Sequence, residues 1–219
     1  MSAASMWTAM QAAIAAVTPY QGSDPVASDA YRAAVGQAMC TAIISEQNSP
    51  VAWDGTNDRI LDVGQFTSDS FTSETSMPLH IACGDGQIYE IEIVGSSAVV
   101  AAGANPILQP NNTLPTTNSF AVDYMYQLNT TVVGNTYSAS AFGGFLIASS
   151  ASLKVGSIKL FTSTANKKYI CESDTAWTGN TFSGSYRGAW NDTTTVWSSL
   201  GTITMPNAWT GQIVCRRIA

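Results

Sequence analysis

Residues 76–94 of this 219-residue chain decide its fold, and they read SMPLHIACGDGQIYEIEIV. The Asp85-Gly86 pair is typical of a tight turn, because such turns need residues that tolerate a positive φ angle. The segments on either side, Ser76–Cys83 and Gln87–Val94, alternate apolar and polar residues with the period of two that a strand requires. The stretch therefore predicts a β-hairpin.

The same period continues along the chain after Pro50. Strand candidates recur at a spacing of roughly 8–14 residues, each bounded by Gly, Asn, Pro or Ser clusters. This rhythm predicts an antiparallel β-sandwich or jelly-roll-like domain over residues 48–219. The further predicted strands are Ser97–Ala101, Ser119–Leu128, Thr131–Ser138, Gly144–Ala148, Ser157–Thr162, Lys168–Glu172, Thr181–Arg187, Val196–Met205 and Gln212–Ile218.

Residues 1–47 have helical periodicity instead. Met6, Met10 and Ile14 recur at helical spacing and form an apolar stripe, with Trp7 beside it. Pro19 ends this helix, because proline has no amide hydrogen to donate.

A second helix is predicted from Ser28, a residue type suited to the N-cap position, to about Ser45. Its apolar stripe includes Tyr31, Val35 and Met39. The two helices together predict a helical hairpin, which we interpret as an N-terminal anchor or assembly segment ahead of the β-domain.

The composition excludes several classes of protein. Charged residues make up 11% of the chain, against about 25% for an ordinary soluble domain. The net charge of −6 argues against a nucleic-acid partner, because few residues could neutralise phosphates. No stretch reaches the length of apolar sequence that a membrane-spanning helix needs. The Ala-rich run at Ala12–Val17 has no basic residue ahead of it, so we expect no signal peptide and synthesis in a reducing compartment.

The sequence predicts a non-enzymatic protein without catalytic residues, metal ligands or a cofactor. His80 is the single histidine, and no phosphate-binding, dinucleotide-binding or nucleophile-elbow motif is present. Glu90 and Glu92 share a strand face at about 7 Å, a spacing that an inverting glycosidase could use, but a solvated face is the simpler interpretation. Several carboxylates between Asp54 and Asp62 leave a calcium loop as an open alternative.

Two other residue types leave alternatives open. Trp177, Tyr186 and Trp190 lie among Gly and Asn residues, where exposed aromatic rings could stack on sugars or enter a protein interface. Trp197 and Trp209 have strand-like surroundings and are expected in the core. The four cysteines are dispersed, and free thiols are expected in a reducing compartment; they are Cys40, Cys83, Cys171 and Cys215.

The C-terminal region resembles the ending of small β-sandwich proteins on the virions of tailed bacteriophages. The resemblance lies in Ser185–Asn191, in Trp197–Pro206 and in Trp209–Ala219, whose last strand has the pattern Gly-x-Ile-Val-x-Arg-Arg-Ile. It covers under a fifth of the chain. A short helical N-terminal segment ahead of a Ser/Thr/Gly-rich domain with few charges is also similar to head decoration (cement) proteins and short fibres, which are often trimers. No catalytic residue of a depolymerase is carried over.

The resemblance implies a structural protein on the exterior of a virion, which decorates or cements the capsid or forms a short fibre. Its expected partners are copies of itself, as a homotrimer, and other virion proteins such as the capsid shell. The predicted docking residues are Met6, Trp7, Met10, Ile14, Tyr31, Val35 and Met39. The alternatives are a receptor-recognition tail protein that binds host-surface polysaccharide and, third, a glycosidase or depolymerase that uses Glu90 or Glu92.

Overall fold

The computed structural model describes residues 3–97, 107–112, 120–128, 131–139, 145–146, 155–163, 169–177, 182–190 and 196–219. Two α-helices precede ten β-strands in the described ranges, with one short 3₁₀ turn after β3. The helices are α1 (Ala3–Ala15) and α2 (Pro25–Gln47), and the turn is Pro110–Asn112. The strands are β1 (Phe66–Pro78), β2 (Ile88–Ser97), β3 (Ile107–Gln109), β4 (Phe120–Leu128), β5 (Thr131–Ala139), β6 (Phe145–Leu146), β7 (Val155–Phe161), β8 (Tyr169–Trp177), β9 (Phe182–Trp190) and β10 (Thr202–Arg217).

The chain divides into two compact units, Met1–Pro50 and Val51–Ala219. The first contains the two helices, and the second contains every described strand. The predicted mainly β, antiparallel architecture with N-terminal helices is confirmed. The two stacked sheets of a sandwich are not confirmed, because hydrogen bonds join the ten described strands into one sheet.

The start of α2 differs from the sequence prediction. The helix begins at Pro25, and the Oδ1 atom of Asp24 accepts the amide hydrogen of Val26 at 2.9 Å. Asp24 is therefore the N-cap and Pro25 the first helical residue, a position where the missing amide of proline has no cost. Ser28, which the sequence suggested as the cap, lies inside the first turn.

The long strand β10 organises the sheet. β1 pairs with it along one edge, while β2 and β3 pair with separate halves of its other edge. From β2 the sheet continues through β7, β8, β9 and β4 to β5, with every neighbouring pair antiparallel. The sequence split β10 in two at Pro206. Instead, the register of β1 against β10 shifts between Phe71 and Ser76, and this irregularity lets the strand continue past the proline.

The hairpin predicted over residues 76–94 is wrong. The turn at Asp85-Gly86 forms, but β1 and β2 do not pair with each other, because β10 lies between them. The segment after β1 bonds to residues 198–201 instead, and the amide of Gly86 donates to the carbonyl of Thr162. The turn was predicted correctly because it depends on neighbouring residues. The strand pairing was not, because the true partner, β10, is distant along the chain.

The core of the second unit lies on one face of the sheet. In β2, Tyr89, Ile91 and Ile93 are buried, as their alternation predicts, while Glu92 and Val94 on the other face are exposed. They join one cluster of buried side chains with residues from neighbouring strands and from the segments outside the strands. Its other members include Leu61, Leu79, Ile81, Ile158, Leu160, Trp197, Leu200, Ile203, Trp209, Ile213 and Cys215.

A pair of glycines makes room for one core side chain. Gly95 of β2 and Gly211 of β10 are direct register partners. A Cβ atom built at Gly95 would lie 2.3 Å from Cζ2 of Trp209, and one at Gly211 would lie 2.4 Å from the same atom. The buried indole of Trp209 therefore packs directly against two backbones.

Arg59 joins the segment before β1 to the sheet. Its side chain is 3% exposed, and all five of its N–H donors have acceptors. Nη1 and Nη2 bond to Oδ1 and Oδ2 of Asp69 at 3.2 and 2.5 Å. The remaining donors bond to the backbone carbonyls of Val51, Leu79 and His80. One side chain thus connects three separate segments.

Replacement of Arg59 should destabilise the β unit strongly. Arg59→Met leaves Asp69 without its counter-charge and removes the side-chain donor from three backbone carbonyls, which we expect to cost about 3–5 kcal/mol. Urea unfolding followed by tryptophan fluorescence measures this. The control Arg32→Met removes an exposed pair with Asp29 and should change stability by no more than about 0.5 kcal/mol. Equal effects of the two substitutions would contradict the role given to Arg59.

Two glycine substitutions should change the free energy of unfolding in opposite directions. Gly95→Ala places a methyl group against Trp209 and should destabilise the β unit by about 1–3 kcal/mol. Gly36→Ala lies inside α2, where an added Cβ meets nothing within 4 Å, so it should stabilise the helix by about 0.5–1 kcal/mol. Thermal unfolding followed by circular dichroism distinguishes the two. A neutral Gly95→Ala variant would show that the indole moves aside freely.

Candidate assembly surface

The predicted docking residues lie on both helices of the hairpin. On α1, Met6, Met10 and Ile14 are partly exposed, whereas Trp7 beside them is 58% exposed. On α2, the stripe residues are again partly exposed; they are Tyr31, Val35 and Met39. The two helices contact each other.

The hairpin has no buried residue in its described part. Side-chain exposure is described for residues 6–45 and 48–50, and each of them is either partly or fully exposed. Most helical stability in proteins comes from packing of an amphipathic face, so two helices without a buried side chain gain little from each other. The described apolar side chains of the hairpin therefore stay at least partly in contact with solvent.

Three apolar side chains of the hairpin project furthest into solvent. They are Val26, 76% exposed, Trp7, 58% exposed, and Ile44, 57% exposed. The sequence analysis identified Trp7 but missed Val26 and Ile44. Ile44 directly follows the stripe residue Ile43, so a search for apolar residues beside the stripe would have found it. Val26 lies in the first turn of α2 and carries no periodic signal.

Few charges interrupt this surface. Residues 1–50 contain four charged side chains, Asp24, Asp29, Arg32 and Glu46. Nη1 of Arg32 lies 3.4 Å from Oδ1 of Asp29, so these two charges offset each other on the surface. A nearly neutral surface can be covered without the large cost of removing unpaired ions from water.

His80 lies in a surface cluster of the β unit. Its ring stacks on Trp53 with centroids 3.7 Å apart and planes 6° from parallel, and its Nδ1 is 3.7 Å from Oδ1 of Asp58. The residue follows β1 with a positive φ of 53°. The imidazole is thus held between an aromatic ring and a carboxylate, which fits the structural role that the sequence suggested.

The two glutamates considered for glycoside hydrolysis lie on the outer face of β2. Glu90 is partly exposed and lies opposite Lys159 of β7 and Arg216 of β10, while Glu92 is exposed and lies opposite Ser157 and Val214. Opposite charges on neighbouring strands stabilise a sheet. The surroundings of Glu90 therefore have a structural explanation that needs no chemistry.

The Asp54–Asp62 loop uses its first carboxylate for its own backbone. Oδ1 of Asp54 accepts the amide hydrogens of Thr56 and Asn57, both at 2.8 Å, and these bonds lower the pKa of Asp54. The carboxylate of Asp58 is directed toward His80 and not toward Asp54. Within the described ranges, no three His, Cys, Asp or Glu side chains lie close enough together to hold a metal ion. The calcium alternative gains no support from this geometry.

The three aromatic residues considered for glycan contact do not lie together. Trp177 ends β8 opposite Phe182, whereas Trp190 ends β9 opposite Tyr169, so the strand rise separates them by roughly 25 Å. Tyr186 occupies the register row of the buried Ile91 and Ile158. The register therefore places these three positions at different points along β8 and β9.

Neither helix in the described ranges is long and apolar enough to cross a membrane.

Burial of titratable side chains should make the folded state less stable at alkaline pH. It raises the pKa of Cys83 from 9.0 to about 12, and it raises the pKa values of Cys215 and Tyr89 as well. These groups stay protonated in the folded state but ionise in the unfolded chain above pH 9. Their stabilisation is therefore complete below pH 9 and lost as pH rises toward the folded-state values. We expect the urea midpoint to fall between pH 8.5 and about 11.

The same burial should determine which cysteine thiols react first. At pH 8, iodoacetamide should modify the exposed Cys40 well before Cys83 and Cys215, because only the thiolate reacts and burial suppresses it. Peptide mapping by mass spectrometry identifies the modified residues. Modification of Cys215 at the rate of Cys40 would contradict its burial.

Comparisons with known proteins give no match. No protein-family model matches this chain. No curated protein and no solved structure matches it either. The fold and the candidate surface therefore rest on the residues and contacts described above.

Proposed function

We propose that this chain is a non-enzymatic structural protein on the exterior of a tailed-bacteriophage virion, anchored by residues 1–47. The observation that carries the proposal is the helical hairpin, in which none of residues 6–45 is buried and several apolar side chains are exposed. The likeness of the C-terminal strand to phage virion-surface proteins supports the virion assignment. The protein would be made in the host cytoplasm and incorporated into the particle.

The hairpin supplies the adhesive surface in this proposal. A stable interface buries at least about 1,000 Å², and the stripes of α1 and α2 together with Trp7, Val26 and Ile44 offer mainly apolar area to it. Its few charges keep the desolvation cost low. The partners are neighbouring copies, as a homotrimer, and the capsid shell. Repetition over a particle adds modest contacts into high overall stability.

The β unit has a hydrophobic core of its own, to which the described residues of the hairpin contribute no buried side chain. Every side chain that is described as buried belongs to Val51–Ala219. This division of labour, with a packed unit and an uncovered one, is what a decoration or short-fibre protein requires. Receptor recognition through Trp177, Tyr186 and Trp190 stays the alternative, although the register separates those residues.

The first test compares the solution mass of the full chain with that of a hairpin variant. Trp7→Ser combined with Ile44→Ser removes two exposed apolar side chains, so a wild-type trimer or larger assembly should become a monomer in light scattering. The control, Gln11→Ser combined with Gln37→Ser, alters exposed polar residues of the same helices and should leave the mass unchanged. A wild-type mass that the hairpin substitutions do not change would contradict self-association through this surface.

The virion assignment has a separate test. Tagged full-length chain, supplied during phage growth, should co-purify with particles through a density gradient and be accessible to an antibody on their surface. The hairpin variant should be absent from the same particles, and the polar control should be present. Recovery of the tagged wild-type chain only in the soluble fraction would overturn the assignment.

A further inference from the structure

One tryptophan of the β unit presents a flat aromatic ring to solvent. Trp53 is 40% exposed, whereas the two other tryptophans of this unit whose burial is described, Trp197 and Trp209, lie in the core. The ring of His80 covers one face of the Trp53 indole, with the two rings parallel and their centroids 3.7 Å apart. An exposed fraction of this size therefore requires much of the other indole face to contact solvent.

The imidazole behind this indole is fixed in position. The carbonyl of His80 accepts the backbone amide hydrogen of Arg59 at 2.7 Å and the Nε hydrogen of the same residue at 3.3 Å. Nδ1 of His80 lies 3.7 Å from Oδ1 of Asp58. The backbone of His80 has a positive φ of 53°, a conformation that costs energy in residues other than glycine and recurs at ligand-binding positions. Because its support is fixed, Trp53 has little conformational freedom to lose when a ligand covers it, and this favours binding.

The turn that follows Trp53 presents hydrogen-bonding groups to solvent. Asp54, Thr56 and Asn57 are all exposed. Oδ1 of Asp54 accepts the amide hydrogens of the other two residues, which fixes the shape of the turn. The three side chains supply a carboxylate that accepts hydrogen bonds, together with a hydroxyl and an amide that both donate and accept them. Donors and acceptors thus lie within four residues of the exposed ring.

This combination of an aromatic face and polar groups fits a neutral saccharide. One side of a pyranose ring carries C–H groups, whose partial positive charge is attracted to the negative face of an aromatic ring. Its hydroxyl groups exchange hydrogen bonds with amide and carboxylate groups.

Charged ligands fit the same place less well. The carboxylates of Asp54 and Asp58 repel an anionic ligand such as a nucleotide. A cationic ligand finds Asp58 already directed toward His80, and Asp54 already accepting two amide hydrogens. The charges therefore favour a neutral ligand.

We propose that Trp53 and the turn Asp54–Asn57 form a saccharide-binding site. The open face of the indole stacks on the sugar ring, the turn bonds to its hydroxyl groups, and His80 positions the indole from the other side. This site is separate from the three aromatic residues that the sequence suggested for glycan contact. It contains no residue of the hairpin, so it does not depend on the proposed assembly.

Binding of monovalent sugars to the full chain tests the site. Saturation-transfer NMR with the methyl pyranosides of glucose, galactose, mannose and N-acetylglucosamine should detect at least one ligand, with a dissociation constant on the order of millimolar. Trp53→Ala should weaken its binding at least about tenfold, because it removes the stacking face. The matched control, Trp7→Ala, removes an exposed indole of the other unit and should leave binding unchanged.

Substitutions that leave the indole in place keep the test valid if Trp53→Ala disturbs the fold. Asn57→Ala removes an exposed amide but keeps the backbone bond to Asp54, so binding should weaken by about two- to tenfold at an unchanged urea midpoint. His80→Asn tolerates the positive φ but removes the supporting ring, and should also weaken binding. Recovery of affinity in His80→Tyr, which restores a ring, separates support of the indole from a role of the imidazole in folding.

Three results would overturn the proposal. The first is unchanged sugar binding in Trp53→Ala, or an equal loss in Trp7→Ala. The second is the absence of binding by all four glycosides at concentrations on the order of 100 mM. The third is tighter binding of argininamide than of any glycoside, because the platform would then take a cation. None of these results bears on assembly through the hairpin, which the solution mass tests separately.

Discussion

The buried pairing of Arg59 with Asp69 is the interaction on which the β unit depends. Arg59 precedes the first strand, yet its guanidinium bonds to β1, to the segment after β1 and to Val51 at the start of the unit. A charge in this position is tolerated only because every donor has an acceptor and the carboxylate balances it. These bonds hold the segment that contributes Leu61 to the core, so the electrostatic pairing and the hydrophobic cluster support each other.

The two units differ in how they bury apolar surface. The β unit buries apolar side chains in its own core, including the indole of Trp209, which packs against Gly95 and Gly211. The hairpin does not, and its apolar side chains stay at least partly exposed. This contrast, more than any single residue, supports the assembly role proposed above.

Local sequence patterns predicted much of this fold, but the pairing of strands that are distant in the sequence was not predicted. The existence of two N-terminal helices, the burial of Tyr89, Ile91 and Ile93, and the core positions of Trp197 and Trp209 were predicted from local patterns and are present in the structure. The pairing of β1 with β10 could not be predicted, because nothing near the Asp85-Gly86 turn indicates that another strand lies between its flanks. The first half of β1 is rich in Ser and Thr, and its two apolar residues, Phe66 and Phe71, do not follow the alternation of a strand.

The position of β10 has a consequence for how the protein is made. Phe66 pairs with Arg216 and Tyr89 pairs with Arg217, so β1 and β2 meet their shared neighbour only after a long stretch of intervening chain has been synthesised. Until then both strands have open edges, and the apolar residues of β2 have no complete core to enter. Sheets of such high contact order fold slowly and expose sticky intermediates. A nascent chain of this kind depends on rapid completion of the sheet or on a chaperone that shields its open strand edges.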